Sequence, residues 1–287
     1  MKSLIFLIGL IFCAVPAFAQ LSGDSFEEAL ENGEAEITAK YLEENAFAYY
    51  DNGELQGIHY EIFNRFVNWA EREYGIDISV NWEGESESFS RFYSNVSNAS
   101  DGVFGLGTVT ILEERREEVQ FTPPYIVNIA VLASHDTVDE VESWEELSEQ
   151  FSGMTGVSIP GTTLETRMNQ LRDNYLPDLQ IVEVDSQLEA MEMIDSNPDH
   201  FTYVDLAVYW PLRDELNLHR HEFADEPGEE FGYIMPLDSD WAEPFTRFFT
   251  LGSGFETTST YRQIIMDNLG EEVHELLRLA RRQMHDS

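Results

Sequence analysis

Lysine is almost missing from this chain. Of 287 residues only Lys2 and Lys40 are lysine, and every other cationic side chain is an arginine or one of seven histidines. The 16 lysines and arginines face 55 acidic residues, for a formal charge of −39 at pH 7. A surface of that sign repels phosphate backbones and anionic headgroups, which excludes nucleic acid and an anionic membrane as expected partners. Acid-rich, lysine-poor surfaces also suit proteins that stay hydrated in concentrated salt, so a saline habitat is expected. Cysteine is as scarce: Cys13 stands alone, behind Ile11-Phe12, where a lipid-modified cysteine would need small residues. A single thiol excludes a disulfide framework and a cysteine metal site. Long apolar runs are missing too. The run over 4–15 falls short of the roughly 20 residues that span a bilayer.

That run has another use. Lys2 precedes it, and Ala17-Phe18-Ala19 supplies a small-x-small cleavage pattern before Gln20. Residues 1–19 therefore read as a signal peptide, followed by a polar, loose leader over 20–33. The rest is expected to reach the periplasm as a free monomer without a lipid anchor.

The remaining chain alternates strand and helix patterns. Ile37, Ala39 and Tyr41 alternate with polar residues as a half-buried strand would. Ile58, Ile62, Phe63, Phe66, Val67 and Ala70 then share one helical face, closed by Gly75. Ile76, Ile78, Val80 and Trp82 alternate again, completing a βαβ unit and implying a parallel sheet. A second set begins near Ile126. Ser143-x-x-Glu146 and Ser186-x-x-Glu189 read as capping boxes, with strands over 181–184 and 201–204. An Asp225–Gly228 turn precedes a strand over 231–235, and helices over 241–251, 260–269 and 271–282 finish the chain. One α/β unit inserted inside another explains this order. The expected division is 34–127 and 235–287 for the first lobe and 128–234 for the second. The crossings are expected within 125–133 and 230–236, with a ligand cleft beneath them.

One stretch carries more than pattern. Leu106-Gly107-Thr108-Val109-Thr110-Ile111-Leu112-Glu113-Glu114-Arg115, followed by Val119-Gln120-Phe121-Thr122-Pro123-Pro124-Tyr125, resembles the signature of bacterial extracellular solute-binding protein family 3. Ala46-Phe47-Ala48-Tyr49-Tyr50 with Gly53-x-x-x-Gly57, then Gly161-Thr162-Thr163, then Tyr203-Val204-Asp205 match in the same order. The resemblance implies a type 2 periplasmic-binding-protein fold, two α/β lobes joined by a two-strand hinge. It also implies an amino-acid-like ligand and a membrane permease or receptor as partner, with no cofactor and no metal. By similarity Arg115 takes the ligand carboxylate, helped by Thr110, Thr108 and Thr163. Asp205 takes the ammonium, and Phe47 and Tyr50 wall the side-chain pocket.

The chemistry of those residue types agrees. A planar guanidinium gives a carboxylate two parallel charge-assisted bonds. Thr110 with Glu113 also reads as a capping box, which would set the anion at a helix N-terminus. The chain departs from the family at Leu112, where a second threonine is usual, and at Asn45-Ala46-Phe47, where Pro-Pro-Phe is common. Arg116 reads as surface. So do His219 and His221, which share a strand face near Glu222. No His-Glu-x-x-His, cysteine pair, phosphate loop or nucleophile elbow is present, so no enzyme is expected. The alternatives are a sensory module presenting its ligand to a receptor and a dehydratase on the same scaffold.

Overall fold

The computed structural model describes residues 20–85 and 88–286, so the N-terminal apolar run with its cleavage pattern and Cys13 lies outside the described residues. Where composition predicts a loose leader, the chain forms α1 (Phe26–Asn32). Ser25 accepts the Glu28 N–H while Glu28 accepts the Ser25 N–H, a complete capping box. Asp240 accepts the N–H groups of Phe26 at 2.7 Å and Glu27 at 2.9 Å, setting a carboxylate on the positive helix end. Beyond its caps the helix is held by Phe26, whose ring packs against Tyr74 and Trp241, and by the buried Ala29, too few apolar positions to read as a periodic face.

There follow β1 (Glu34–Leu42), a hairpin of β2 (Tyr49–Asp51) and β3 (Glu54–Gln56), α2 (Ile58–Tyr74), β4 (Asp77–Glu85), α3 (Phe89–Ser97) and β5 (Val103–Leu106). A 3-10 turn over Glu114–Glu117 leads to β6 (Val119–Phe121) and the long β7 (Ile126–His135). The second unit continues with α4 (Trp144–Gln150), β8 (Thr155–Ser158), α5 (Thr163–Asn174), β9 (Gln180–Glu183), α6 (Gln187–Ser196), β10 (His200–Asp205) and α7 (Leu206–Tyr209). Next come β11 (Leu218–Arg220), β12 (Glu226–Phe231), β13 (Ile234–Pro236), α8 (Ala242–Thr250) and α9 (Ser259–Asp286). The last is one run broken at Gly270, whose φ of 82° favours glycine.

Two sheets result. The first has the order β4-β1-β5-β13-β6, with β1 parallel to both β4 and β5. The second runs β11-β7-β10-β8-β9, and β12 pairs with β7. The βαβ expectation holds, with α2 packing its apolar face and Gly75 capping its end in the left-handed conformation. β1 is not half-buried, however: from Ile37 onward both faces are covered, as befits a strand with neighbours on each edge. Even Lys40 is buried, its Nζ donating to the Gly84 carbonyl at 2.8 Å. The Asp225–Gly228 segment is a bulged strand rather than a turn, because it pairs with β7. Ser143 and Ser186 cap α4 and α6, but Glu146 and Glu189 reach one residue further back, to the N–H groups of Glu142 and Asp185.

The crossings are tighter than the apolar runs suggest. β7 lies wholly in the second sheet, so the chain passes between sheets at 122–125 and again at 232–233. Thr122 N–H donates to the Tyr233 carbonyl at 2.9 Å and Tyr125 N–H to that of Phe231 at 2.9 Å. The Tyr125 and Tyr233 rings stack across the two crossings, 4.2 Å apart and 11° from parallel. The pair makes a hinge of two bonded strands. Packing is close in the first sheet too. A Cβ on Gly105 would stand 2.6 Å from Ile234 Cγ1 and 2.8 Å from Val96 Cγ2. Gly105→Ala is therefore expected to cost about 1–3 kcal/mol in denaturant unfolding; an unchanged midpoint would show that β5 and β13 yield there.

Candidate functional site

One cleft gathers most of the sequence-predicted residues. Thr108, Thr110 and Arg115 line it from the first lobe; Thr163 and Asp205 line it from the second. About 550 Å³ of atom-free space, partly open to solvent, lies between them. The backbone explains how they arrive there. Residues 109–111 pair with 230–232 beside the hinge: Ile111 N–H donates to the Glu230 carbonyl at 2.8 Å, Gly232 N–H to that of Val109 at 3.0 Å. Thr110 is thus held in a strand-like bridge and caps no helix, because the 3-10 turn bearing Arg115 opens only at Glu114 with no side-chain cap. The anion-at-a-helix-start expectation fails at Thr110. It fits α5 instead, where Thr162 caps the helix and Thr163 is its first residue.

At one end of the cleft Arg115 Nη1 donates to the Thr110 carbonyl at 3.0 Å and Nη2 to the Gly161 carbonyl at 2.8 Å. Its guanidinium lies 5.5 Å from the Phe89 ring centre and 5.7 Å from that of Tyr93. Burial lowers its pKa, yet a guanidinium stays charged throughout the working range. Thr110 and Thr163 hydroxyls meet from opposite lobes, 3.4 Å apart. The Arg116 side chain next door is 47% exposed, pairs with Glu113 and lies over the Phe121 ring, away from the cleft lining.

At the other end stands Asp205, 4% exposed at the end of β10. It makes no capping bond to α7, so its carboxylate is free for other partners. Gln187 Nε2 donates to Oδ2 at 2.7 Å and Asn128 Nδ2 to Oδ1 at 2.6 Å. Gln187 Oε1 in turn accepts the Asp205 N–H at 2.8 Å. Burial, then the nearby Glu229, pushes the carboxyl up to about 7, against the hydrogen bonds and Arg167. Arg167 is engaged elsewhere, bonded to Glu226 at 2.8 Å and Glu229 at 2.9 Å.

The residue that sequence reasoning missed is Glu44, in the loop after β1. Its carboxylate accepts from Thr108 Oγ1 at 2.9 Å and from Gln187 Nε2 at 3.2 Å, so one amide bridges Glu44 and Asp205 across the lobes. The side chain is half-buried, lining both this cleft and the outer groove that Tyr50 borders. That burial, followed by the field of Asp205, pushes its carboxyl up to about 8. Two facing carboxyls without a cation hold on to protons.

Two predicted contacts are corrected. Phe47 is 0% exposed in the first lobe's core, its ring 5.0 Å from that of His59. The start of α2 pins its backbone: Ile58 N–H donates to the Ala46 carbonyl and His59 N–H to that of Phe47, at 2.9 and 2.8 Å. Gly57 permits this with φ 110° and no Cβ, which would otherwise stand 2.5 Å from the Phe47 oxygen. Tyr50 is 58% exposed, its hydroxyl accepting from Tyr41, and it borders an outer groove rather than the cleft. Phe89 and Leu42 supply the apolar wall in their place. The His219–His221 pair departs from a solvated reading, since His221 is buried against Ser134 Oγ at 2.9 Å, and burial lowers its pKa to about 4. Among the described residues no group of three or more acidic, histidine or cysteine side chains could hold a metal ion.

The lobes touch across the cleft. Besides Arg115 to Gly161, Ser90 Oγ donates to the Pro160 carbonyl at 3.2 Å. This is a closed arrangement with a cationic end at Arg115 and an acidic end at Asp205 and Glu44.

Comparison with known proteins bears on the fold. No family model matches the chain. The glutamate-binding protein GluB of Corynebacterium glutamicum is 23% identical over 256 residues, covering 87% of this chain and 83% of that protein. Its counterpart from Corynebacterium efficiens is 22% identical over 255 residues, with the same coverage of 87% and 83%. Among solved structures, an ancestral arginine-binding protein bound to glutamine superposes with a TM-score of 0.64 at 18% identity, covering 82% of this chain and 98% of that one. A binding component of an ABC transporter from Wolinella succinogenes, complexed with lysine, gives 0.64 at 16% identity, with 82% and 95% covered. The fold is that of the type 2 periplasmic binding proteins.

Proposed function

We propose that this chain, which belongs by fold and by its sequence relatives with the family 3 extracellular solute-binding proteins, captures an amino-acid-like zwitterion by closing its two lobes. One observation carries the reading: Arg115 from one lobe and Asp205 from the other line the same cleft. An α-amino acid presents a carboxylate and an ammonium a few ångströms apart, and a water-poor cleft has to satisfy both. Arg115 with the Thr110 and Thr163 hydroxyls takes the carboxylate, and Thr108 lies near through Glu44. Asp205 takes the ammonium. Because the two poles sit on different lobes, most of the binding energy is realised only on closure.

In this reading the chain makes and breaks no bonds. It is exported, and it hands the closed, loaded form to an ABC-type membrane permease. A sensory receptor as the partner would use the same cleft, and a pull-down with the loaded protein against solubilised membranes would separate the two. No helix among the described residues is long and apolar enough to cross a membrane.

Thermal unfolding tests the capture. Ligand at about a hundred times its dissociation constant adds roughly 2.7 kcal/mol to stability. That should raise the midpoint by several degrees, on the order of 5 °C for lobes of this size. A panel of amino acids and related carboxylates, run in low and molar salt, is expected to contain at least one that does so. A flat response across the panel at both salt levels would sink the reading.

A further inference from the structure

We infer that the ligand carries a second positive charge on its side chain, making it a diamino or guanidino acid, and that Glu44 is the residue that selects for it. This rests on the capture reading and narrows its substrate class.

The argument is a charge balance inside one enclosure. Of the four carboxylates that line the cleft, Glu43 and Asp185 are solvent-exposed, which leaves Glu44 and Asp205 as the two whose charge is screened least. The lining offers them one guanidinium, Arg115. Arg115 is committed to the other end of the cleft, where it bonds the Thr110 and Gly161 carbonyls. Arg167, whose charge reaches Asp205, is already held by Glu226 and Glu229. An ordinary zwitterion brings one carboxylate for Arg115 and one ammonium for Asp205. Glu44 is then left inside a closed cleft facing Asp205 with hydrogen-bond donors but no cation. Thr108 and Gln187 each give it one bond, and once the carboxyl has lost its proton neither cancels the charge.

Position matters as much as charge. With the main-chain atoms held between Arg115 and Asp205, the ligand side chain would run along Leu42, Phe89 and Glu44, which line the same cleft. The two carboxyls share the Gln187 amide through bonds of 3.2 and 2.7 Å, so their bonded oxygens are within about 6 Å of each other. A methylene stem fits the Leu42 and Phe89 surfaces, and a basic head at its end meets Glu44. An acidic side chain would instead drive a third carboxyl into this wall. Burial makes that repulsion strong, because a low-dielectric site screens it weakly. The named sequence relatives bind glutamate by their names, so the inference sets this chain apart from them.

Titration calorimetry at about pH 8.5 tests it with matched pairs: L-arginine against L-citrulline, its neutral isostere, and L-lysine against L-glutamine and L-glutamate. The purified wild type is expected to favour the cationic member by at least about tenfold, the order of one buried charge pair. Glu44→Gln should lose that preference by weakening the cationic ligands while leaving citrulline and glutamine nearly unchanged. Glu44→Asp should keep it in part, and far-ultraviolet circular dichroism confirms that both variants fold. Equal or tighter binding of glutamate or citrulline by the wild type overturns the inference, and so does a Glu44→Gln variant with its preference intact. Either result leaves amino-acid capture standing, whereas binding of none of these ligands would remove that reading and this one together.

Discussion

Arg115→Ala is expected to abolish the ligand-induced rise in unfolding midpoint while leaving the unliganded fold cooperative. Removing one partner of a buried, hydrogen-bonded charge pair typically costs about 2–5 kcal/mol, or roughly 30-fold to several thousandfold in affinity. Two losses combine here. The ligand carboxylate loses its planar donor pair, and the closed form loses the Arg115 bond to the Gly161 carbonyl across the lobes. Arg115→Lys separates them, since it keeps the charge but not the fork; an intermediate affinity is expected. Arg116→Ala is the control, because Arg116 is exposed, pairs with Glu113 and does not line the cleft. Full binding by Arg115→Ala, measured by the same thermal series, would mean that the carboxylate sits elsewhere.

The second large effect is on pH. Ligand affinity should rise as pH is raised from about 6 to about 8.5, by up to about tenfold for each unit over which a proton must leave. The cause is the Glu44 and Asp205 pair. Burial holds both carboxyls protonated into the neutral range, Asp205 to about 7 and Glu44 to about 8. Every group around them enters the balance: Thr108 on the first lobe, Gln187 between the lobes, and Asn128, Glu229 and Arg167 on the second. Glu229 reinforces the upward push on Asp205, while Arg167 and the hydrogen bonds oppose it.

The pH trend of stability differs between the empty and loaded forms. In the unfolded chain these carboxyls titrate near 4, so the empty fold binds extra protons above that point. Their contribution to the empty fold is therefore present in acid and lost as pH rises through about 7 to 8. A bound cation removes the reason for that loss. The ligand-induced rise in midpoint should accordingly grow with pH, and Glu44→Gln should flatten the trend. Comparing loaded with empty protein at each pH cancels most of the self-repulsion of a chain carrying −39 formal charges. A ligand-induced rise that is level across the range would show that no proton is displaced.

What was legible in the sequence follows from what each residue needs. The face of α2 and the alternation of β4 are local patterns, and the structure keeps both. Arg115, Thr110 and Asp205 could be placed because they sit in stretches with a recognisable order. Glu44 could not. It is one of 55 acidic residues, with no periodic or motif context, and it acquires meaning only through Gln187, which is 143 positions away. Phe47 misled for a related reason. An aromatic residue in a loop near a cleft suggests a wall, but the Gly57 turn and the first N–H groups of α2 draw its backbone into the core. The α1 helix was hidden because its apolar side is only Phe26 and Ala29, and the rest of its hold comes from Ser25, Glu28 and a distant Asp240.

The central claim is that one small molecule is gripped by both head groups, one from each lobe. Calorimetric titration of the tightest amino acid beside two blocked forms tests this most directly. The methyl ester removes the carboxylate charge that Arg115 needs, and the N-acetyl derivative removes the ammonium that Asp205 needs. Each is expected to bind at least about a hundredfold more weakly than the free amino acid, the scale of a lost buried charge pair. A blocked form that binds as well as the parent would contradict the account, since that end of the ligand would then have no charged partner in the cleft.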